Sequence, residues 1–161
     1  MASLVPAVMA IALLAQGTTA PKPDFSGKWT MDRERSESAV QDQPIEPVTL
    51  AITQADTTFT VETIRRDQSS SVATYPIQAS PGAPGVLAVG VRRAYWDGLK
   101  LVTEGSGTVQ GQTVSIRETR AINATGTEMT VETMVIVQHG YSLRGGRNYG
   151  IAKDVYLRAA R

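Results

Sequence analysis

From Lys28 onward the chain is a succession of short runs in which apolar and polar residues alternate, each closed by a turn signal. Period-2 alternation is the signature of half-buried strands, and runs of this kind at intervals of about 10 residues predict an antiparallel all-β domain. Trp29 and Met31 alternate with Lys28, Thr30 and Asp32. Val48, Leu50 and Ile52 lead through Ala55-Asp56-Thr57 into Phe59, Val61 and Thr63, a predicted hairpin. Ser71 to Ile77 is a third run, and the Pro- and Gly-rich stretch 79–85 is a loop. Val86 to Trp96 reads as one long apolar strand, turned by Asp97-Gly98 into Leu99 to Thr108. Asp-Gly between two such runs is a strong hairpin signal. Thr113 to Ile122, Met129 to Gln138 and Ile151 to Leu157 complete roughly nine strands. Residues 33–46 are polar, with room for one helical turn around Ser36–Val40. Short links throughout favour a meander, and closing a meander on itself removes its exposed edges. The expected fold is therefore a single antiparallel up-and-down β-barrel of about 8–10 strands, occupying residues 21–161.

The first 20 residues differ in kind. Leu4 to Ala15 is an apolar run of 12, and every charged side chain lies after Ala20. A membrane-spanning helix needs about 20 apolar residues, so the run fits the core of a secretory signal peptide instead. Cleavage is expected after Gly17 or after Ala20. The mature protein is then secreted or periplasmic, with no transmembrane segment.

Composition narrows the chemistry. The 161 residues contain no cysteine and a single histidine, His139, which removes disulfides, thiolate catalysis and multi-histidine or Cys-ligated metal sites. A formal charge of +1 gives no bulk field for nucleic acid. No Gly-x-Ser-x-Gly elbow accompanies His139, which reads as a solvated loop residue, and no pattern ties Glu118 and Glu132 into a carboxylate pair. The basic, aromatic stretch Arg144–Tyr149 reads as a flexible loop, and Asn123-Ala124-Thr125 is a glycosylation sequon that matters only on a eukaryotic secretory route. No catalytic residue, cofactor or metal is assigned.

Strand parity nominates residues for a barrel interior. Glu118 and Arg120 share a face with Val114, Ile116 and Ile122, and Arg93 and Tyr95 share one with Leu87, Val89 and Val91. Arg93 and Arg120 could hold a ligand carboxylate through paired N–H donors, with Tyr95 adding a hydroxyl. In the last strand Ile151, Val155 and Leu157 look like core, which sets Tyr156 and Arg158 on the other face. Small inward residues such as Thr63, Thr74 and Thr133 would leave a cavity, whereas Trp29, Met31, Phe59 and Met129 would close one.

Phe25-Ser26-Gly27-Lys28-Trp29 resembles the Gly-x-Trp signature that opens the first strand of the lipocalins and fatty-acid-binding proteins, the calycin superfamily. The resemblance extends in layout over most of the chain after residue 20, without the Thr-Asp-Tyr motif or C-terminal helix of the lipocalins. It implies that Gly27 and Trp29 close one end of the barrel. It also implies that a basic residue packs on that tryptophan, for which Arg158 is the candidate. Fatty-acid-binding proteins carry an inward basic residue and tyrosine two apart on the final strand. Tyr156 and Arg158 present these types in reverse order. The function implied is that of an exported bacterial protein holding an apolar or amphipathic small molecule in its barrel. The alternative is a structural or interaction module whose barrel is filled by side chains.

Overall fold

A computed structural model of the chain describes residues 21–39, 46–81, 87–109, 111–137 and 149–160. Nine strands form one closed barrel in sequence order: β1 (Gly27–Met31), β2 (Thr49–Gln54), β3 (Thr58–Ile64), β4 (Ser70–Gln78), β5 (Arg92–Asp97), β6 (Lys100–Val109), β7 (Gln112–Ile122), β8 (Glu128–Val137) and β9 (Tyr149–Arg158). Two single 3-10 turns, Arg33–Arg35 and Glu37–Ala39, follow β1. The expected signal peptide, His139 and most of the Gly-rich segment before β9 lie outside the described residues. Among the described residues no helix is long and apolar enough to cross a membrane.

The hairpins form where the turn signals stand. Asp97 pairs with Lys100, so Gly98 is the first residue of a two-residue turn, and its φ of +58° is the conformation that a hairpin of this length asks of glycine. The long run from Val86 behaves differently. A turn in which Val91 N–H donates to the Ala88 carbonyl (3.1 Å) precedes β5, with Gly90 at φ +84°, so the strand begins only at Arg92. Val89 and Val91 are exposed.

Nine is an odd number, and a closed ring of strictly antiparallel neighbours must be even. The barrel resolves this at one seam. β4 and β5 run parallel and pair only through Ile77–Ala94 and Gln78–Tyr95, while every other neighbour is antiparallel. This corrects the expectation of a wholly antiparallel meander. A parallel pair cannot be joined by a tight hairpin, and the link between β4 and β5 contains the Pro- and Gly-rich stretch.

One end of the barrel is sealed. Residues before β1 cross it and insert Phe25, which packs edge-on against Phe59 (ring centroids 6.1 Å, 89°) and against Trp96 (6.1 Å). Gln54 fixes this crossing by accepting from Phe25 N–H (3.0 Å) and donating to the Pro23 carbonyl (3.2 Å). Trp29, fully buried, donates from Nε1 to the Phe25 carbonyl at 2.8 Å. The Arg158 guanidinium lies 4.3 Å over the Trp29 ring and donates to the Asp24 carbonyl at 2.7 Å. Gly27 takes φ +126°, a backbone state that L side chains rarely adopt, which accounts for the glycine of the Gly-x-Trp signature. Ile52, Leu101 and Met129 complete the packed half.

Candidate functional site

Above the packed half the interior opens. The inward residues become smaller and more polar: Thr63 on β3, Ala73 on β4, Gly105 on β6 and Thr133 on β8. They leave a cavity of about 490 Å³ whose aliphatic wall includes Leu50, Val61, Val131 and Val135. A side lobe of about 300 Å³ opens toward β4, β5 and β6 and shares Ala73, Tyr75, Arg92, Ile116 and Glu118 with it. Thr74, nominated as inward, instead faces out and exchanges a hydrogen bond with Thr60 (3.0 Å). Both features weighed in the sequence are thus present at once, in different halves. The bulky residues fill the sealed end, and the small ones hollow the other.

A polar layer marks the boundary. Arg120 is 1% exposed. Its guanidinium donates to Thr103 Oγ1 and Glu118 Oε2, both at 2.6 Å, and sits 5.4 Å over the Phe59 ring. A buried guanidinium costs much free energy unless a carboxylate neutralises it, and Glu118 supplies that charge here. Arg120 Nε is buried with no hydrogen-bond partner. Tyr156 borders the same layer. Burial pushes its hydroxyl pKa well up, Asp154 and Glu118 push the same way, and Arg120 opposes them. Tyr75, across the cavity, is shifted up chiefly by burial and next by Glu118, with Arg120 and Arg92 opposing.

Asp154 faces the cavity beside the seam between β9 and the segment after β1. β1 pairs with β9 only from Met31–Tyr156 to Trp29–Arg158. Beyond that point side chains stand in for a strand. Ser38 donates to Asp154 from its N–H (3.0 Å) and its hydroxyl (2.7 Å), Ser36 Oγ accepts from Val155 N–H (3.0 Å), and Glu37 accepts from Lys153 N–H (2.8 Å).

The nominated residues divide. Glu118 and Arg120 come together inside, and Tyr156 joins them there. Arg158 belongs to the sealed end, against Trp29. In β9, Ile151 (61% exposed) and Leu157 (43%) are on the outer surface, contrary to their reading as core. Arg93 and Tyr95 also face outward. Arg93 pairs with Glu104 at 2.5 Å, and Glu104 pairs with Arg117 at 2.6 Å, which makes a three-membered ion cluster on the outer wall. Burial alone would raise the Glu104 pKa, but the two guanidiniums outweigh it and hold the carboxyl below its ordinary value. Tyr95, beside this cluster, is raised mainly by burial and then by Glu104. The inward residues of β5 are Arg92, Ala94 and Trp96. Alternation cannot be carried across Gly90, because the turn there breaks the extended chain and resets which parity faces in. Arg92 and Tyr75 are therefore cavity residues that the sequence did not nominate, as are Arg65 and Asp154. For Arg92 the signal would have been the same period-2 rule, applied from Trp96 backwards instead of from Val86 forwards; for Tyr75 it would have been the parity it shares with Ala73 and Ile77 along β4.

No protein-family model matches the chain, and no curated protein matches it. Among solved structures, the fluorescent protein UnaG is similar at 18% identity with a TM-score of 0.49, over 84% of this chain and 97% of that one. A zebrafish ileal bile acid-binding protein complexed with cholic acid is similar at 12% identity and a TM-score of 0.44, over 84% and 98%. A fatty acid-binding protein from Drosophila melanogaster brain tissue is similar at 13% identity and a TM-score of 0.38, over 83% and 99%.

Proposed function

We propose that this protein is an exported carrier that holds a small amphipathic molecule in the open half of its barrel. The observation that carries the reading is the asymmetry of the interior. A barrel built only as a scaffold gains stability from every apolar side chain that fills it. This one is packed tightly around Phe25, Trp29, Phe59 and Met129, then leaves about 490 Å³ with an aliphatic wall of valines, Leu50 and Ile116 on some sides and polar or charged side chains, among them Arg92, Glu118, Arg120 and Asp154, on the others. Small-molecule sites are concave, mainly apolar and about 300–1,000 Å³, with a few polar groups that set orientation. Transfer of apolar surface out of water would drive binding. Export rests on residues 1–20, whose apolar run is followed by small residues.

Native mass spectrometry of the full-length gene product, recovered from its own producing cell, tests both parts. A mature mass starting at residue 18 or 21 supports export. A stoichiometric adduct released by organic extraction supports the carrier reading and reveals the ligand's class. An intact amino terminus refutes export. A clean apo mass, with no uptake from a panel of fluorescent amphiphiles, refutes the carrier in favour of an interaction module.

A further inference from the structure

Resting on the carrier reading, we infer that the ligand is an amphipathic anion whose head group is held by Arg92 and Tyr75 in the side lobe, and not by the buried Arg120. The ionic accounts of the cavity point there. Arg120 is already neutralised at 2.6 Å by Glu118, and its one nitrogen without a hydrogen-bond partner, Nε, is fully buried. An anion at Arg120 would have to displace the Glu118 carboxylate from the guanidinium, whereas Glu118, which also lines the side lobe, makes no ion pair with Arg92. Asp154, the other acid in the cavity, is tied to Ser38 by two bonds. Arg92 is different. It is exposed, it lines both lobes, and it takes part in no hydrogen bond or ion pair with any described residue. Arg65 also reaches the main cavity, but the Asp67 carboxylate stands near it, its pKa held down first by the Ser69 hydroxyl and N–H and further by the Arg65 charge.

The surroundings of Arg92 suit a head group. Tyr75 approaches it from β4, and its hydroxyl bonds to no described residue. Both side chains lie against Gly105, where an added Cβ would stand 3.7 Å from Arg92 Cγ and 3.8 Å from Tyr75 Cε1. Glycine inside a strand packs nothing and weakens it, and it commonly marks close approach of a ligand or a second chain. At Gly107, further along the lobe, an added Cβ would meet nothing within 4 Å. The lobe lies where β4 and β5 are joined by only two residue pairs, so the wall there is less continuous than at any hairpin. A tail among Val61, Val131 and Val135 with its head at Arg92 would keep the charge near water, which avoids the cost of burying it. A guanidinium suits a carboxylate or a phosphate monoester equally, through paired N–H donors.

The test uses the mature protein and two fluorescent probes with one tail, 11-(dansylamino)undecanoic acid and its methyl ester, titrated at neutral pH. The wild type is expected to bind the acid at least about 10-fold more tightly than the ester, in the range of a charged hydrogen bond. Arg92→Gln, at an exposed position, should remove that preference by weakening the acid about 10-fold while leaving the ester unchanged. Tyr75→Phe should weaken the acid a few-fold. Displacement of the bound acid by dodecanoate or by dodecyl phosphate, whichever is stronger, identifies the head group. Equal binding of acid and ester by the wild type, or an unchanged acid affinity in Arg92→Gln, overturns the inference and leaves the carrier standing. Failure of the wild type to bind either probe overturns both.

Discussion

Replacing Trp29 with alanine would test whether the sealed end carries the barrel. The indole is fully buried, touches the Arg158 guanidinium and holds the Phe25 carbonyl. A buried tryptophan removes roughly 150–250 Å² from water, worth about 4–6 kcal/mol at about 25 cal/mol per Å². Measured losses for Phe or Trp to Ala in cores are about 3–5 kcal/mol. The orphaned Phe25 carbonyl and the lost stacking on Arg158 each add about 1 kcal/mol. Trp29→Ala should therefore cost about 5 kcal/mol, a large part of the roughly 5–15 kcal/mol that holds a domain together. Because that variant could unfold outright, Trp29→Phe provides the graded comparison. It keeps most of the ring volume and loses the Nε1 bond, for an expected loss of about 1–2 kcal/mol. Urea titration followed by far-UV circular dichroism measures both. A loss under about 1 kcal/mol for Trp29→Ala, or equal losses for the two variants, would refute the reasoning. Neither substitution touches the cavity, so Trp29→Phe should bind an amphiphile as the wild type does.

Three further outcomes are expected. Glu104→Gln should cost about 2 kcal/mol in a urea titration at pH 7, since it breaks the bonds to Arg93 and Arg117. The native pKa of Glu104 is depressed below its ordinary 4.5, so its contribution is present above that value and lost as pH falls through the lower native value; the gap between variant and wild type should close on acidification, and a gap that widens would contradict the ion cluster. Ala73→Phe, which places a ring where both lobes meet, should weaken any bound amphiphile at least about 10-fold while moving the melting temperature little, because it fills open space and displaces no packed side chain; unchanged affinity in a fluorescence titration would put the ligand elsewhere. Gly27→Ala should destabilise by about 1–2 kcal/mol in the same urea assay through backbone strain alone, since nothing lies within 4 Å of the added Cβ; a neutral result would show that the backbone relaxes there at no cost.

The strands, their turns and the all-β class follow from features local to the sequence. Alternation along Leu50–Ile52, Phe59–Thr63 and Ile116–Ile122 specifies which residues share a face, and Asp97-Gly98 specifies a tight turn, because both depend on a few consecutive dihedrals. For the same reason Glu118 and Arg120 could be assigned to one side with the isoleucines. The pairing of Arg158 with Trp29 was legible only through family resemblance, since 129 positions separate them. What the sequence by itself left open is which side of each strand is inside. In β9 the interior took Asp154, Tyr156 and Arg158 and left Ile151 exposed, and in β5 it took Arg92 and left Arg93 and Tyr95 outside. Hydrophobicity could not decide these cases. The outer wall buries Tyr95 and Val102 while the inner wall carries charge, so apolar content does not mark the inner face. Closure decided them. A closed ring of nine strands needs at least one parallel seam, and the one present, together with the turn at Gly90, sets the facing of β5 relative to β4. The side lobe and the uncommitted Arg92 are consequences of that closure, a property of the whole ring that no single run of residues contains, whereas the Glu118–Arg120 pair lies two residues apart on one strand.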